Sequence, residues 1–174
     1  MPDRIRLHIG IYRYILMVCM SLIERLASEL NTAKVPFAFV GGVALALHGA
    51  PRGTVDVDVV TEFSESNFIR FEECLKRLGL VSRIPVSAAE VFQFREEYIS
   101  RRNLIAWSFC SPNNPLEVVD LIITYDLKKA RRERKRVGLS TVYVISIPDL
   151  IEMKQLSNRP QDREDILTLK RLLK

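Results

Sequence analysis

The sequence is poor in the residues that build disulfide frameworks and zinc sites. Its 174 residues hold three cysteines and two histidines. Cys19, Cys74 and Cys110 lie far apart with no paired spacing, and His8 and His48 fall in different segments. Such scatter argues against a stapled or zinc-bound fold and points to the reducing cytoplasm as the natural setting. Long apolar runs are missing as well. A membrane helix needs about 20 apolar residues, and the longest run here, Ile9 to Met20, is broken by Arg13, so no membrane association is expected. Arg4 and Arg6 followed by Ile11 to Cys19 imitate a signal peptide but lack a small-residue cleavage site, so secretion is not expected either. Residues 1–19 are therefore set apart as an N-terminal extension, and with 48% hydrophobic content residues 20–174 are long enough for one domain with a full core.

What the chain does contain is concentrated between Phe37 and Val60. Phe37 to Val40 read as a buried strand, and Gly41-Gly42 then lets the backbone turn tightly and approach a ligand with no Cβ in the way. Val43 to Leu47 can open a short helix whose first amides face an incoming phosphate. A few residues later Thr54, Asp56 and Asp58 alternate with Val55, Val57 and Val59, which places the polar set on one face of a second strand and the valines on the other. Carboxylates about 7 Å apart on one strand face repel each other unless a cation lies between them, and hard divalent cations prefer oxygen ligands. A phosphate-cradling turn beside a carboxylate metal site suggests nucleotide chemistry. Asp120, inside the apolar run Leu116 to Ile123, is costly to bury without a partner and is a further site candidate.

The combination of a glycine pair, a short helix and Asp-x-Asp resembles the nucleotidyltransferases of the DNA polymerase beta superfamily, in particular the small prokaryotic branch related to AbiEii-type abortive-infection toxins. The resemblance implies that Asp56, Asp58 and Asp120 are catalytic carboxylates holding Mg²⁺, with Mn²⁺ as the alternative, and that a nucleoside triphosphate binds against Gly41 and Gly42. Arg52 and Thr54 match the Arg-x-Thr that precedes the family's carboxylates, and the resemblance implies that they too bind the nucleotide. Lys154 and Arg159 match its Lys and Arg-x-x-Asp-x-x-Asp segment, and are expected to face the triphosphate. Asp162 and Asp165 then orient these bases or cap the last helix. The glycine at position 42 departs from the serine that many active members carry, which leaves backbone amides alone at that point of the turn. The implied reaction is transfer of a nucleoside monophosphate to an acceptor hydroxyl, with RNA or tRNA, a partner protein or a small molecule as acceptor and an antitoxin as a further partner. Two rivals stand beside it. One is a non-catalytic nucleotide- or partner-binding module of the same fold, favoured by the lack of a sizeable acceptor domain. The other is a nucleotide-sugar-dependent glycosyltransferase, which the short chain and early glycine turn disfavour.

The formal charge of +5 resides in one place, since Lys128 to Arg136 carries seven bases and one acid. Such a run either tracks a nucleic-acid backbone or forms a solvated connection or helix face between two strands; the absence of interleaved aromatics favours the second. Elsewhere, a helix is expected over Ser21 to Leu30. Another follows a Ser64 or Ser66 cap, with Phe68, Phe71, Leu75 and Leu78 as its stripe and Gly79 at its end. Leu80 to Val86, Asn103 to Cys110 and Val137 to Ile145 read as strands, and Ala88 to Ile99 as one helix. His48 closes the short helix by capping carbonyls. Ser146-Ile-Pro-Asp149 opens a helix that Asn158 ends, and Pro160 starts a last one with Ile166, Leu169, Leu172 and Leu173 on its apolar side. This order gives an α/β (α+β) class with a mixed sheet, which the resemblance narrows to the nucleotidyltransferase fold.

Overall fold

A computed structural model of the chain describes residues 18–50, 53–54 and 56–173. Arg52 and nearly all of the N-terminal extension lie outside those residues. The first helix, α1, is described over residues 18–32. It is followed by β1 (Phe37–Phe39), α2 (Gly41–Leu47), β2 (Asp56–Thr61), α3 (Glu65–Arg77), β3 (Val81–Ser82), α4 (Ala88–Gln93), α5 (Arg95–Arg102), β4 (Ala106–Cys110) and β5 (Val118–Ile122). A short 3-10 turn at Leu127–Lys129 leads to β6 (Arg132–Val137), β7 (Ser140–Ile145), α6 (Ile147–Ser157) and α7 (Pro160–Leu172). The strands form one mixed sheet in the order β3-β4-β5-β2-β1-β7-β6. Two neighbouring pairs in it are parallel, β2 with β5 and β1 with β7.

Alternation along the central strands divides the molecule. Val57 and Val59 of β2, with Val119 and Leu121 of β5, are fully buried among α1, α3 and α4, in a cluster that includes Leu26, Phe68, Phe71 and Trp107. Ala38, Val40, Val60 and Val144 pack instead with residues of α2, α6 and α7. Apolar residues on one face leave the intervening positions of β2 and β5 free for carboxylates on the other.

Helix α3 follows its stripe. Ser64 caps it by accepting from the Asn67 amide at 3.2 Å, and Gly79 ends it at φ +78. Four segments depart from expectation. Strand β3 is only two residues long, because Ser82 turns inward, its Oγ accepting from Trp107 Nε1 at 2.9 Å and donating to the Ile84 carbonyl at 2.6 Å. The helix expected over Ala88 to Ile99 breaks at Phe94 into α4 and α5; α4 opens on a capping box of Ser87 and Glu90, and Phe94 leaves helical geometry. The basic run begins in the 3-10 connection at Lys128 and Lys129, but from Arg132 on it is a β-strand and no helix face, and it pairs with β7 across a tight turn at Gly138 (φ +55). Asn31 of α1 donates to the Thr141 carbonyl and Glu24 accepts from the Leu139 amide, which fixes this hairpin to the helix. Finally, the buried face of α7 is formed by Asp162, Asp165 and Leu169, while Leu172 and Leu173 stay exposed. Among the described residues no helix is long and apolar enough to cross a membrane.

Candidate active site

The parallel pairing of β2 with β5 sets Asp58 beside Asp120, with Val57 beside Val119 and Val59 beside Leu121. Asp56 lies two residues before Asp58 at the start of β2, so all three carboxylates share a sheet face. Strand β4 is the next neighbour, where Ser108 pairs with Asp120. The three acids line an open cavity of about 400 Å³ together with Gly41, Gly42, Thr54, Lys154 and Arg159. Thr54 itself lies just before the strand. Val40 and, from later in the chain, Ile105, Ala106, Ile122, Leu150, Met153 and Gln161 complete the wall, and periodicity alone could not have singled out the later six.

The glycine turn is built against Asp58. Gly41 adopts φ +60, a left-handed conformation that favours glycine. A Cβ there would fall 1.8 Å from Asp58 Oδ2. The Val40 amide donates to the Asp58 carbonyl at 3.0 Å, so turn and carboxylate strand are joined at the point of closest approach.

Crowding shifts the acids. Burial raises Asp58 to a pKa of about 6, helped by the negative charges of Asp120 and Asp56 and opposed by Arg159 and Lys154. Asp56, the most open of the three, is also raised, by desolvation and then by Asp120, while Arg83 pulls the other way. Arg83 carried no signal in the sequence; its amide donates to the Ser108 carbonyl, and only the pairing of β3 with β4 brings its charge to this edge. Asp120 Oδ1 is buried with no hydrogen-bond partner among the described residues.

The two expected bases differ in situation. Lys154 is buried, its Nζ 2.7 Å from Asp165 Oδ2 and 3.3 Å from Asp162 Oδ1, so its charge is already balanced where it borders the cavity. Arg159 is largely exposed; its backbone and side chain both donate to Asp162 Oδ2. Burial alone would raise Asp162, but hydrogen bonds from Ser157 and Arg159, followed by the charge of Lys154, bring it down to about 2. The pair Asp162 and Asp165 thus orients the bases, as expected. His48 is turned away from the cavity, its Nε2 donating to the Ile145 carbonyl of β7 at 2.8 Å; the carbonyl it caps belongs to the strand.

A family model, the nucleotidyl transferase AbiEii toxin of type IV toxin-antitoxin systems, matches residues 25–164. The chain belongs to the AbiEii nucleotidyltransferase family. No curated protein sequence matches it. Among solved structures, an antigenic nucleotidyltransferase-like protein from Paracoccidioides brasiliensis is 22% identical with a TM-score of 0.56, over 86% of this chain and 74% of that one. The antibiotic-resistance factor ANT(2'')-Ia, in a solution structure, is 12% identical with a TM-score of 0.62, covering 91% and 85%. Its crystal structure with adenylyl-2''-tobramycin is 13% identical at TM-score 0.62, covering 90% of each chain. At these identities the likeness establishes the fold, and the AbiEii membership rests on the family match.

Chemically, the cavity offers a hard-oxygen donor set: three carboxylates, one with an orphaned oxygen and one pushed toward protonation by burial and then by the charges of the other two. As the side chains stand, no three His, Cys, Asp or Glu residues among those described are drawn together as a metal cluster. Like charges without a counterion stay apart. The donor type and the unmet oxygen nevertheless fit a divalent cation.

Proposed function

We propose that the protein transfers a nucleoside monophosphate from a nucleoside triphosphate to an acceptor hydroxyl, in the cytoplasm, with Mg²⁺ held by Asp56, Asp58 and Asp120. The observation that carries this reading is the register of Asp58 with Asp120 on one face of the sheet, beside a glycine turn that keeps the approach to them free of side chains.

Charge balance supports it. Lys154 is shared with Asp162 and Asp165, so in the cation-free form the charge of the cavity's carboxylates is only partly offset by Arg159, Lys154 and Arg83 and would oppose a triphosphate. A bound divalent cation would supply the missing positive charge and polarise the phosphates. Gly41 and Gly42 admit the phosphate chain close to the backbone. Arg159 lines the cavity, open to solvent and held at its Nε by Asp162, and the rest of its guanidinium is left to take up the charge of the departing pyrophosphate. The acceptor oxygen forms a bond to the α-phosphorus, the bond from that phosphorus to the β-bridging oxygen breaks, and pyrophosphate leaves with the electron pair. In this reading the acceptor's proton passes to Asp120, whose buried Oδ1 has no hydrogen-bond partner among the described residues. Asp120 lines the cavity together with Ile105, Ala106 and Ile122, and we take that side as the acceptor's.

The relative captured with adenylyl-2''-tobramycin favours adenylyl transfer as the reaction type, while the family's name favours a toxin role with an antitoxin partner. The test is a screen of α-labelled nucleotides with Mg²⁺ against total RNA, aminoglycosides and the protein itself. Label appearing on any acceptor with stoichiometric pyrophosphate supports transfer. Nucleotide binding without turnover on any of them favours a non-catalytic module.

A further inference from the structure

The two glycines of the turn are bare for different reasons. Gly41 requires its left-handed backbone and lies against Asp58. Gly42 has no such backbone constraint, and what excludes a side chain there is Thr54. A Cβ built on Gly42 would come 2.7 Å from Thr54 Cβ, 2.8 Å from its Oγ1 and 3.3 Å from its Cγ2. The first of these is a branch-point carbon that no rotamer change can move. The side chain of Thr54 therefore fills the space that a side chain at 42 would need, and it carries a hydroxyl into that space.

That hydroxyl is weakly engaged. Among the described residues its hydrogen bond goes to the carbonyl of Asp56 at 3.2 Å, longer than the usual range for a hydroxyl donor. The residue lines the cavity next to both glycines and both β2 carboxylates. An O–H donor with a poor partner, at the wall of an anion site whose turn offers only main-chain amides, gains by switching to a phosphate oxygen.

Resting on the reading of the cavity as a triphosphate site, we propose that Thr54 Oγ1 is a direct ligand of the β- or γ-phosphate, and that Gly42 and Thr54 form a size-matched pair in which the strand supplies the hydroxyl that the turn cannot. The pairing has a consequence outside nucleotide binding: a side chain at 42 is tolerated only when residue 54 has none.

The experiment uses the full chain with Mg²⁺ and compares affinity for ATP and AMP by calorimetry, because AMP lacks the phosphates assigned to Thr54. Thr54→Val, nearly isosteric, should weaken ATP about tenfold or more, the size expected for a hydrogen bond to a charged group, with little change for AMP. Thr54→Ser should keep the wild-type preference. Thermal melting reads the pairing without ligand: Gly42→Ser alone should lower the melting temperature, and Gly42→Ser with Thr54→Gly should recover it and much of the ATP preference. An unchanged ATP-to-AMP ratio in Thr54→Val overturns the ligand role while leaving the site intact. A wild type that binds ATP no better than AMP overturns the triphosphate reading and Thr54 with it. A Gly42→Ser variant as stable as wild type overturns the pairing.

Discussion

Asp58 and Asp120 occupy paired positions on neighbouring parallel strands, and the charge of one keeps the other from ionising freely. The pKa of about 6 at Asp58 has burial as its main cause and Asp120 as the next. Because the folded-state value lies above the unfolded one, the folded protein binds the proton more tightly. The associated stability is fully present below the unfolded pKa near 4 and is lost as pH rises through about 6. Asp58→Asn removes this penalty. In the absence of divalent cations it should be more stable than wild type at pH 7.5, by on the order of 2–3 kcal/mol, and the difference should shrink between pH 6 and pH 4. Chemical denaturation at several pH values checks this, and a constant difference across the range would refute it. Mg²⁺ should raise the melting temperature of wild type at pH 7.5 far more than that of the variant.

Asp120 should separate binding from chemistry. Its Oδ1 has no hydrogen-bond partner among the described residues and the proposed role is toward the acceptor, so Asp120→Asn is expected to lose turnover by a factor of at least about 100 while nucleotide affinity falls less than about tenfold. Single-turnover transfer and calorimetry on the same preparation distinguish the two. Equal losses in both would make Asp120 a nucleotide-binding group only.

The legible part of this molecule was the part whose chemistry is local. The Gly41-Gly42 turn and the alternation of Asp56 and Asp58 with valines are written in consecutive residues, and the fold bears out the strands and turn they imply. Asp120 was legible because an acid inside an apolar strand is costly; the strand register that puts it beside Asp58 comes from a parallel pairing no local pattern encodes. Two features stayed hidden for the same reason. The resemblance already pairs Asp162 and Asp165 with the bases, but helical periodicity assigns the buried face of α7 to Ile166 and three leucines, whereas the two acids share it with Leu169 because Lys154, on another helix, reaches across to them. Arg83 meets Asp56 only through the edge pairing of a two-residue strand. In the basic run, charge density masked a β-strand whose partner β7 fixes it in place.

The Lys154 triad should behave as a buried ion cluster. Asp162→Asn leaves the lysine with one carboxylate and removes an acceptor used by Ser157 and Arg159. A cost of about 3 kcal/mol is expected at neutral pH. The depressed pKa of Asp162, about 2, means that its stabilising contribution is present above about pH 4 and lost as pH falls through 2, so the difference between variant and wild type should vanish in acid. Lys154→Met, which strands two acids instead, should destabilise at pH 7 and recover on acidification. Urea denaturation midpoints of both variants at pH 7 and pH 3 provide the measurement, and pH-independent differences would count against the cluster.

The basic strand provides the last prediction. As the edge strand of the sheet, β6 carries exposed charges that also discourage edge-to-edge pairing with another chain, so its composition has a structural reason independent of nucleic acid. Arg132 is partly committed, donating to the Phe37 carbonyl at 3.0 Å and stacking over Tyr143. Arg131, Arg134 and Arg136 are exposed, and among the described residues no long-range side-chain partner fixes the last two. If the acceptor is RNA, replacing these three by glutamine should weaken RNA binding and reduce the slope of log affinity against log salt by about 0.7 to 0.9 per lost phosphate contact. Leaving Arg132 in place keeps the hairpin packed, so the melting temperature should hold. Filter binding at several salt concentrations decides between the roles. A smaller slope with an unchanged fold assigns the strand to the acceptor, whereas equal slopes, combined with faster aggregation of the variant, assign its charges to protection of the sheet edge.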